Sequence, residues 1–391
     1  MISLKDALDR VLANVPVTGT ESIRLENCAG RVLAANVVSD VDMPPFNKSA
    51  VDGFACLKSD IGKELQVIET VPAGKIPENK VSPGICIKIM TGAMVPEGAD
   101  FVAMVENSQP LNNGTIRLDA APGGINICFT AEDVKNGDIV LEKGITVMPQ
   151  HIAVMAAVGC TEPVVYKKPH ITVLSTGDEL VEPDCKPGLS QIRNSNASQL
   201  MAQVVQAGAE AVYGGIVSDD AEVTFQKISS AVNEFDIVIL TGGVSMGDYD
   251  FVPDVMKRAG IEIIFHSIAI QPGKPTLFGR KGNKLVFGLP GNPVSSYIAF
   301  ELIVRPAICR MIGKEYIPVQ FNAPLSADFM RRNTSREAIV PVKFIEDGSV
   351  EPVSMHGSAH IHALTYANGL MIVPAGTALI SKGEMVHVRS L

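Results

Sequence analysis

The run Asp236-Ile-Val-Ile-Leu-Thr241, followed at once by Gly242-Gly-Val-Ser-Met-Gly-Asp-Tyr-Asp250, decides the class of fold. Its apolar residues do not alternate with polar ones, which is typical of a strand covered on both faces. The glycines behind it predict a tight loop at the carboxyl end of that strand. We therefore expect the core of the protein to be a parallel sheet with helices on both sides.

Strand-like and helix-like stretches alternate on either side of this run. The hydrophobic pattern predicts further strands over 171–175, 211–217 and 261–270, and it predicts helices over 198–207, 221–235 and 251–259. A strand, a helix and a parallel strand that follow each other form a right-handed unit. The pattern therefore predicts one βαβ domain over residues 169–315.

The rest of the chain has a different hydrophobic pattern. At 391 residues the chain is too long for one core. Residues 1–168 begin as an amphipathic helix and then read as mostly β from about 46 to 140, whereas residues 318–391 alternate like a small β-barrel or sandwich. The predicted fold class is therefore α/β and multidomain: a central parallel-sheet domain, a mostly β insertion and a small β-barrel-like C-terminal domain.

Charge and cysteine usage exclude several classes of protein. The formal charge of −9 argues against a nucleic-acid partner, because phosphate neutralisation needs clustered Lys and Arg. No apolar run approaches the ~20 residues of a membrane span, and the charged N-terminus does not read as a signal peptide. The seven Cys form no C-x-x-C pair, so reduced, buried thiols in a cytoplasmic protein are expected.

Two small-residue loops follow strands of the predicted sheet. In an open parallel sheet, ligands bind beyond the carboxyl ends of the strands. Glycines and hydroxyls there suit an anion, because N–H and O–H groups donate to it at close range. Neither loop is a G-x-G-x-x-G or a P-loop motif. The candidate binding residues are Ser175, Thr176 and Gly177 in one loop and Gly242, Gly243 and Ser245 in the other.

Acidic residues accompany these loops. Beside a phosphate they would repel unless a hard cation such as Mg²⁺ bridges the charges. The acids concerned are Asp178 and Glu179, Asp219 and Asp220, and Asp248 and Asp250. From them we predict Asp219 and Asp250 as Mg²⁺ ligands, with Glu179 as a further ligand or a proton-transfer group.

Two more segments belong to the same edge of the sheet. The segment 269–275 offers Lys274 as a cation positioned between prolines. The segment Leu289-Pro-Gly-Asn-Pro-Val294 begins a helix, with Asn292 as its N-cap and Pro293 at the first helical position. We expect Pro290, Gly291, Asn292 and Pro293 to contact the ligand.

Motifs spread over nearly the whole chain resemble the MoeA and gephyrin E-domain family. They occur in the family's order: Ser49-Ala-x-Asp-Gly, Met90-Thr-Gly-Ala, Glu132-Asp133, Ser175-Thr-Gly-Asp-Glu-Leu, Thr241-Gly-Gly-Val-Ser-x-Gly, Pro272-Gly-Lys-Pro and Leu289-Pro-Gly-Asn-Pro. Each motif is weak alone, and the N-terminal ones read singly as turns. The resemblance adds functional positions that the residues did not reveal unaided, namely Asp52, Thr91 and Asp133, and it agrees with Glu179, Asp219, Asp250 and Lys274.

The resemblance also implies an architecture and an activity. It implies a homodimer whose protomers have a linker domain, a β insertion, a MogA-like molybdopterin-binding domain and a β-rich C-terminal domain, with the active site shared between subunits. The implied reaction is Mg²⁺-dependent insertion of molybdate into adenylylated molybdopterin, with release of AMP. Implied further partners are a MogA-like adenylyltransferase and molybdoenzyme chaperones.

Three positions depart from the family pattern. Gln271 stands where a lysine is usual, Cys128-Phe129 precedes the Glu-Asp pair where basic residues are usual, and Pro341 stands near an expected basic residue, with Arg336 close by. Ser358 falls in the loop that resembles the family's substrate-facing C-terminal loop. Two alternatives therefore stay open: an enzyme of the molybdopterin adenylyltransferase kind, and a weakly active binding or scaffold paralogue.

Overall fold

The computed structural model describes residues 1–119, 124–244, 252–354 and 357–391. Ser245, Asp248 and Asp250 lie outside these ranges, so their predicted roles stay predictions. The chain forms two compact units. The large unit contains Met1–Glu21, Gly30–Ala34 and Val164–Leu391, and the small unit contains Ser22–Ala29 and Ala35–Pro163.

The helices and strands are numbered in chain order. The α-helices are α1 Leu4–Asn14, α2 Pro149–Ala157, α3 Ser195–Gln206, α4 Ala221–Glu234, α5 Val252–Arg258, α6 Pro293–Ala299 and α7 Arg305–Met311. A π-helical turn, Phe300–Val304, joins α6 to α7, and short 3₁₀ turns cover Leu25–Asn27, Lys58–Asp60, Val105–Asn107, Asn112–Gly114 and Ile361–Tyr366. The strands are β1 Thr20–Ser22, β2 Val37–Val38, β3 Lys48–Ser49, β4 Gly53–Cys56, β5 Glu64–Val71, β6 Ile85–Ile89, β7 Phe101–Met104, β8 Ser108–Pro110, β9 Thr115–Leu118, β10 Ile127–Cys128, β11 Ile139–Leu141, β12 Val164–Tyr166, β13 His170–Thr176, β14 Leu180–Val181, β15 Ile192–Arg193, β16 Glu210–Val217, β17 Ile237–Thr241, β18 Glu262–Phe265, β19 Ile270–Gln271, β20 Leu277–Lys281, β21 Lys284–Leu289, β22 Gln320–Pro324, β23 Phe329–Met330, β24 Glu337–Phe344, β25 Val350–Pro352, β26 Gly369–Val373, β27 Leu379–Ile380 and β28 Met385–Ser390.

The central sheet of the large unit has the strand order β16-β13-β17-β21-β20-β18. The first four strands are parallel, as the βαβ alternation predicted. At the other edge β20 runs antiparallel to both β21 and β18. The single strand predicted over 261–270 was wrong, since that stretch holds β18 and then the start of β19, which pairs in another sheet. The α/β class is confirmed, with a mixed sheet.

The strand that decides the fold is covered on both faces. Ile237, Val238, Ile239 and Leu240 are all fully buried. Ile237 and Ile239 pack in the cluster that contains apolar residues of α1, α3, α6 and α7. Val238 and Leu240 pack in the cluster that contains residues of α4 and α5. Successive side chains of a strand point to opposite faces, so an unbroken apolar run is what this two-sided burial requires.

Polar residues fix where the helices of this sheet begin. Asn194 caps α3, because its side-chain oxygen accepts the N–H of Ala197 at 3.2 Å. Asp220 caps α4 by accepting the N–H groups of Glu222 and Val223, each at 2.8 Å. These caps satisfy donors that the first helical turn leaves unpaired. The Asp220 carboxylate is thus occupied by its own helix.

The C-terminal part of the large unit is built on a second sheet, ordered β19-β24-β26-β28-β22, with β25 on β24. Its core contains alternating residues of these strands, such as Val340, Val342, Met371 and Val388. Strand β19 pairs in parallel with β24, and this places Gln271 opposite Ala338. The loop that carries Lys274 is thereby attached to the C-terminal sheet.

The small unit is mostly β. Its main sheet has the order β7-β4-β6-β5-β9-β8, and apolar clusters cover it. All seven cysteines of the chain are free; most are buried or half-buried, whereas Cys185 is exposed, contrary to the expectation of buried thiols. No helix within the described ranges is long and apolar enough to cross a membrane.

Candidate functional site

Loops at the carboxyl ends of β13, β16, β17 and β21 enclose a pocket of about 700 Å³. We call it the glycine-loop pocket. It lies where the topology of an open α/β sheet places ligands. Its lining residues are Ser175, Thr176, Gly177, Glu179, Leu180, Ile192, Arg193, Asn194, Ser195, Asn196, Asp219, Thr241, Gly242, Gly243, Val244, Pro275, Pro290, Gly291, Asn292, Pro293, Ala359 and Ile361.

Glycine is required where the loop after β17 passes the end of β13. Gly242 has φ +93°, and a side chain there would overlap the main-chain oxygen of Thr176. Its N–H donates to the Leu289 carbonyl at 3.2 Å, which ties this loop to the end of β21. The backbone in this region has no room for a Cβ, and glycine alone adopts such a φ without strain.

The two threonines at the strand ends differ in their hydrogen bonds. Thr241 donates to the Pro290 carbonyl at 3.2 Å and accepts from the Asn196 amide at 3.0 Å. The hydroxyl of Thr176 is buried and has no hydrogen-bond partner in the described structure. A buried hydroxyl without a partner is unfavourable by about 1–3 kcal/mol, so a ligand atom that accepts from it would be stabilised.

Ser175 lines the pocket but uses its hydroxyl inside the fold. The side chain is fully buried, and its hydroxyl is 3.0 Å from the Asn194 side-chain oxygen, to which it donates. That oxygen also caps α3. Ser175 therefore positions the start of α3, and with it Asn196, whose amide donates to the Gly291 carbonyl at 2.7 Å.

The acids at this edge are held in a defined arrangement. The N–H of Asp219 donates to the Asp178 carboxylate at 3.1 Å, and the N–H of Asp178 donates to the Asp219 carboxylate at 3.4 Å. Glu179 lies against Gly177, whose φ is +145°. Only Glu179 and Asp219 of these acids line the pocket. The part of the chain that the structure describes contains no group of three or more His, Cys, Asp or Glu suited to a metal ion.

A second pocket, of about 690 Å³, adjoins the first. We call it the cationic pocket, since it contains Lys and Arg side chains and none of its described lining residues is acidic. The two pockets share Pro275, Pro290 and Asn292. The lining residues are Gln271, Pro272, Gly273, Lys274, Pro275, Pro290, Asn292, Ser295, Phe329, Arg331, Arg332, Asn333, Arg336, Ala338, Ile339, Val340, Pro352, Val353, Gly357 and Ser358.

The cations of this pocket are not equally available. Arg331 donates to the carbonyls of Thr377, Arg336 and Pro374, and so its donors are occupied. Arg336 donates from one nitrogen to the Ile270 carbonyl at 3.1 Å. The side chains of Lys274 and Arg332 donate no hydrogen bond to a described residue and form no salt bridge with one. Among the described lining residues, Lys274 and Arg332 are therefore the cations that are most available to an anion.

The helix that begins beside both pockets is linked to the C-terminal loop. Asn292 is the N-cap residue of α6 and Pro293 begins the helix, as predicted. The Asn292 side chain does not cap the helix; its amide donates to the Ser358 hydroxyl at 2.9 Å. The N–H of Val294 donates to the Ser358 carbonyl at 3.0 Å. Ser358, which lines the cationic pocket, is thus held against Asn292, which lines both pockets. Pro341 is not a lining residue of either.

In the small unit, Asp52 and Thr91 form one local arrangement. The Asp52 carboxylate accepts the Thr91 N–H at 2.6 Å and its hydroxyl at 2.8 Å. The Thr91 N–H stabilises the carboxylate most, and the Thr91 hydroxyl adds to this, so both hold the pKa of Asp52 below its ordinary value. Both side chains are exposed, so this prepared carboxylate faces solvent.

Asp133 belongs to a different part of the small unit. It lines a surface pocket of about 730 Å³ together with Lys48, Cys128 and Glu132. Neither Asp52 nor Thr91 is among its lining residues. Phe129 is 47% exposed beside it. The structure therefore places the predicted residues of the small unit at two places, whereas it brings the described ones of the large unit together around two adjoining pockets.

Sequence reasoning missed Asn194, Asn196 and Arg332. The Asn194 to Asn196 stretch lies just before the predicted helix, and an Asx residue there is a cap signal that could have been found. Arg332 carried no local signal, because its place in the cationic pocket depends on the pairing of β19 with β24.

Three family descriptions match consecutive parts of the chain. They are "MoeA N-terminal region (domain I and II)" over residues 2–159, "Probable molybdopterin binding domain" over 172–310 and "MoeA C-terminal region (domain IV)" over 322–391. Two proteins named molybdopterin molybdenumtransferase are similar over almost the whole chain. That of Bacillus subtilis (strain 168) is 34% identical over 403 residues, covering 99% of this chain and 93% of the relative. That of Staphylococcus epidermidis (strain ATCC 12228 / FDA PCI 1200) is 35% identical over 400 residues, covering 99% and 95%.

A solved structure is similar in its whole course. The molybdopterin biosynthesis moeA protein from Pyrococcus horikoshii OT3 superposes with a TM-score of 0.86 at 31% identity, and the match covers 100% of both chains.

Proposed function

Since this chain belongs to the MoeA family, we propose that it acts as a molybdopterin molybdenumtransferase of molybdenum cofactor biosynthesis, which inserts molybdate into adenylylated molybdopterin and releases AMP. One observation carries the proposal: two pockets of different chemistry adjoin through Pro275, Pro290 and Asn292. One is lined by small residues and hydroxyls, and the other contains free cations. A reaction between a phosphorylated pterin and an oxyanion needs such a pair of sites.

The glycine-loop pocket would hold the adenylylated molybdopterin. Its backbone approaches the ligand without intervening side chains at Gly242 and Gly243, which suits close contact with phosphate oxygens. The Thr176 hydroxyl, buried without a partner, would donate to one such oxygen. Asn196 holds the loops after β17 and β21 together through Thr241 and the Gly291 carbonyl, and thus keeps the pocket in shape.

The cationic pocket would hold molybdate. A doubly charged oxyanion is attracted by Lys274 and Arg332, whose charges no described residue neutralises, and no described lining residue opposes it with a negative charge. Arg336 would contribute its remaining donors. The shared wall at Asn292 would bring the oxyanion to the edge of the pterin pocket.

Mg²⁺ fits the residues at the first pocket. Mg²⁺ keeps several waters and is usually bound by one or two carboxylates together with substrate phosphates. Glu179 and Asp219 line the pocket and would hold the ion, with Asp250 as a further candidate outside the described residues. The ion would offset the repulsion between these carboxylates and the phosphates of the substrate.

We include in the proposal a homodimer that works in the cytoplasm. The homodimer is supported by the resemblance to the MoeA family, which implies this assembly. Light scattering of the purified full chain tests the assembly: we expect the mass of two chains, and a single-chain mass at micromolar concentration would contradict it.

Incubation of the purified protein with adenylylated molybdopterin, Mg²⁺ and molybdate tests the activity. We expect AMP release that molybdate stimulates, and the same result with the control variant Lys227→Ala, which changes an exposed lysine of α4. In a parallel incubation with molybdopterin and ATP, formation of adenylylated molybdopterin with release of pyrophosphate would favour an adenylyltransferase. Binding of the substrate without turnover would favour a scaffold protein.

A further inference from the structure

A third pocket of the large unit, of about 610 Å³, shares no lining residue with the two described above. Its walls come from α1, from the π-helical turn with α7 behind it, and from the C-terminal sheet. We call it the α1 pocket. Leu8, Leu12 and Leu302 supply aliphatic surface, whereas Arg310, Lys314 and Arg389 supply cations.

Arg389 is the unusual member of this pocket. It is only 6% exposed, yet no carboxylate of the described residues forms a salt bridge with it. One of its nitrogens, Nη2, donates to the Glu301 carbonyl at 2.6 Å and to the Tyr316 hydroxyl at 2.8 Å. Its Nε is buried without a partner among the described residues, and its Nη1 donates no hydrogen bond to any of them. A buried guanidinium with unsatisfied donors is unfavourable unless an anion completes its surroundings.

The nearby carboxylate does not supply that anion. Glu301 is itself buried and forms a two-pronged ion pair with Arg305, at 2.6 and 2.8 Å. It also accepts from Gln203 at 2.7 Å. The group of Glu301, Arg305 and Arg389 therefore keeps one positive charge in excess. Burial and the neighbouring Glu301 raise the pKa of Tyr316, so this phenol stays neutral and does not offset the charge.

The rim of the α1 pocket adds to the positive charge. Arg310 and Lys314 form no side-chain hydrogen bond or salt bridge with a described residue, and Glu315 is the one acid among the lining residues that the structure describes. Arg310 lies in the last turn of α7, where a cation complements the helix C-terminus. That explanation does not apply to Arg389, which lies on β28. The α1 pocket thus has an aliphatic wall, a buried cation, Arg389, and a cationic rim.

We propose that the α1 pocket binds an organic monocarboxylate with an aliphatic body. The carboxylate would complete the surroundings of Arg389 with Lys314 and Arg310 at the rim, and the aliphatic part would pack against Leu8, Leu12 and Leu302. The excess of positive charge favours an anionic ligand. The apolar wall favours a ligand with a hydrocarbon part over a small inorganic anion. The site is separate from the proposed transferase reaction.

Titration of the full-length protein with hexanoate tests the proposal, with heat of binding and ligand NMR as readouts. We expect hexanoate to bind at least about tenfold more tightly than its neutral analogue hexanamide, as one charge-assisted hydrogen bond provides. Equal binding of hexanamide would reduce the site to an apolar groove. Equal binding of inorganic phosphate would reduce it to a simple anion site. Either result, or the absence of hexanoate binding, overturns the proposal.

Variants locate the binding. The rim variant Arg310→Glu/Lys314→Glu changes accessible side chains and should weaken hexanoate by about tenfold or more. The matched control Lys227→Glu, on α4, should leave it unchanged. Arg389→Lys tests the buried guanidinium directly. If this variant does not fold, the rim variant still tests the proposal. Loss of hexanoate binding in Lys274→Ala, with retention in the rim variant, would assign the ligand to the cationic pocket and refute the inference.

Discussion

Asp178 and Asp219 each accept the main-chain N–H of the other, at 3.1 and 3.4 Å. These reciprocal hydrogen bonds join the loops that follow β13 and β16. Only the Asp219 side chain also lines the glycine-loop pocket. The two acids thus form equivalent hydrogen bonds between the loops, but only Asp219 can contact a ligand in the pocket. They therefore form a matched pair for mutation.

Asp219→Asn should raise the Mg²⁺ concentration for half-maximal AMP release on the order of tenfold. Asn keeps a side-chain oxygen that accepts the Asp178 N–H, so the loops stay joined while the negative charge is lost. Asp178→Asn is the control and should leave the Mg²⁺ dependence nearly unchanged. An Asp219→Asn enzyme with normal Mg²⁺ dependence would remove Asp219 from the metal site.

Lys274→Ala should abolish the stimulation of AMP release by molybdate. Loss of one positioned donor to an oxyanion lowers a rate on the order of 10²- to 10³-fold, and Gln271 offers no second charge in the same loop. Gln271→Lys should preserve or tighten the response to molybdate. The measurement is the molybdate concentration dependence of AMP release. Normal behaviour of Lys274→Ala would leave Arg332 and Arg336 as the anion ligands.

Thr176→Val should change stability and binding in opposite directions. The Thr176 hydroxyl is buried without a partner, so its removal should leave the free energy of unfolding unchanged or raise it by about 1 kcal/mol. The same change should raise KM for adenylylated molybdopterin by about tenfold, since a hydrogen bond to a charged phosphate is lost. Urea unfolding and steady-state kinetics measure the two effects. A fall in stability together with an unchanged KM would show that the hydroxyl serves the fold.

Gly242→Ala should destabilise the large unit, by about 1–3 kcal/mol in urea unfolding. The added methyl would overlap the Thr176 carbonyl oxygen, and the φ of +93° is unfavourable for alanine. Gly291→Ala is the control, because its Cβ would meet only the Gly242 Cα, at 3.6 Å, and its φ is not in the left-handed region. That variant should stay within about 0.5 kcal/mol of the parent. Equal losses in both variants would point to the contact between the two loops rather than to the backbone conformation of Gly242.

Thr91→Val should raise the pKa of Asp52 part of the way towards its ordinary value of 3.8. The hydroxyl is lost while the N–H, the larger cause of the shift, remains. A carboxyl whose pKa is lowered by folding contributes its stability above pH 3.8 and loses it as the pH falls through the lower, folded pKa. NMR titration of the Asp52 carboxyl carbon gives the pKa directly. An identical titration in both proteins would mean that the hydroxyl does not stabilise the carboxylate.

The sequence by itself determined the βαβ order from β13 to α5 and the edge of the sheet that carries the loops. An unbroken apolar run such as 237–240 has one stable solution, a strand with helices on both faces, because its side chains alternate between the two. Small residues after β13 and β17 likewise predicted loops where glycine is needed. The residues at the N-cap and first positions of α6, Asn292 and Pro293, could also be predicted, although the Asn292 side chain donates to Ser358 instead of capping the helix.

Tertiary structure alone decided what each polar side chain does. The sequence suggested that Ser175 and Asp220 bind ligand, but in the structure both side chains form hydrogen bonds at the start of a helix. The Thr176 hydroxyl, by contrast, has no partner among the described residues. Arg331 and Arg332 are neighbours in sequence, yet Arg331 donates to three carbonyls, whereas Arg332 donates to none of the described residues. Strand periodicity is local and can be read from the chain, whereas a hydrogen-bond partner is set by segments that lie tens of residues apart and meet only in the folded protein.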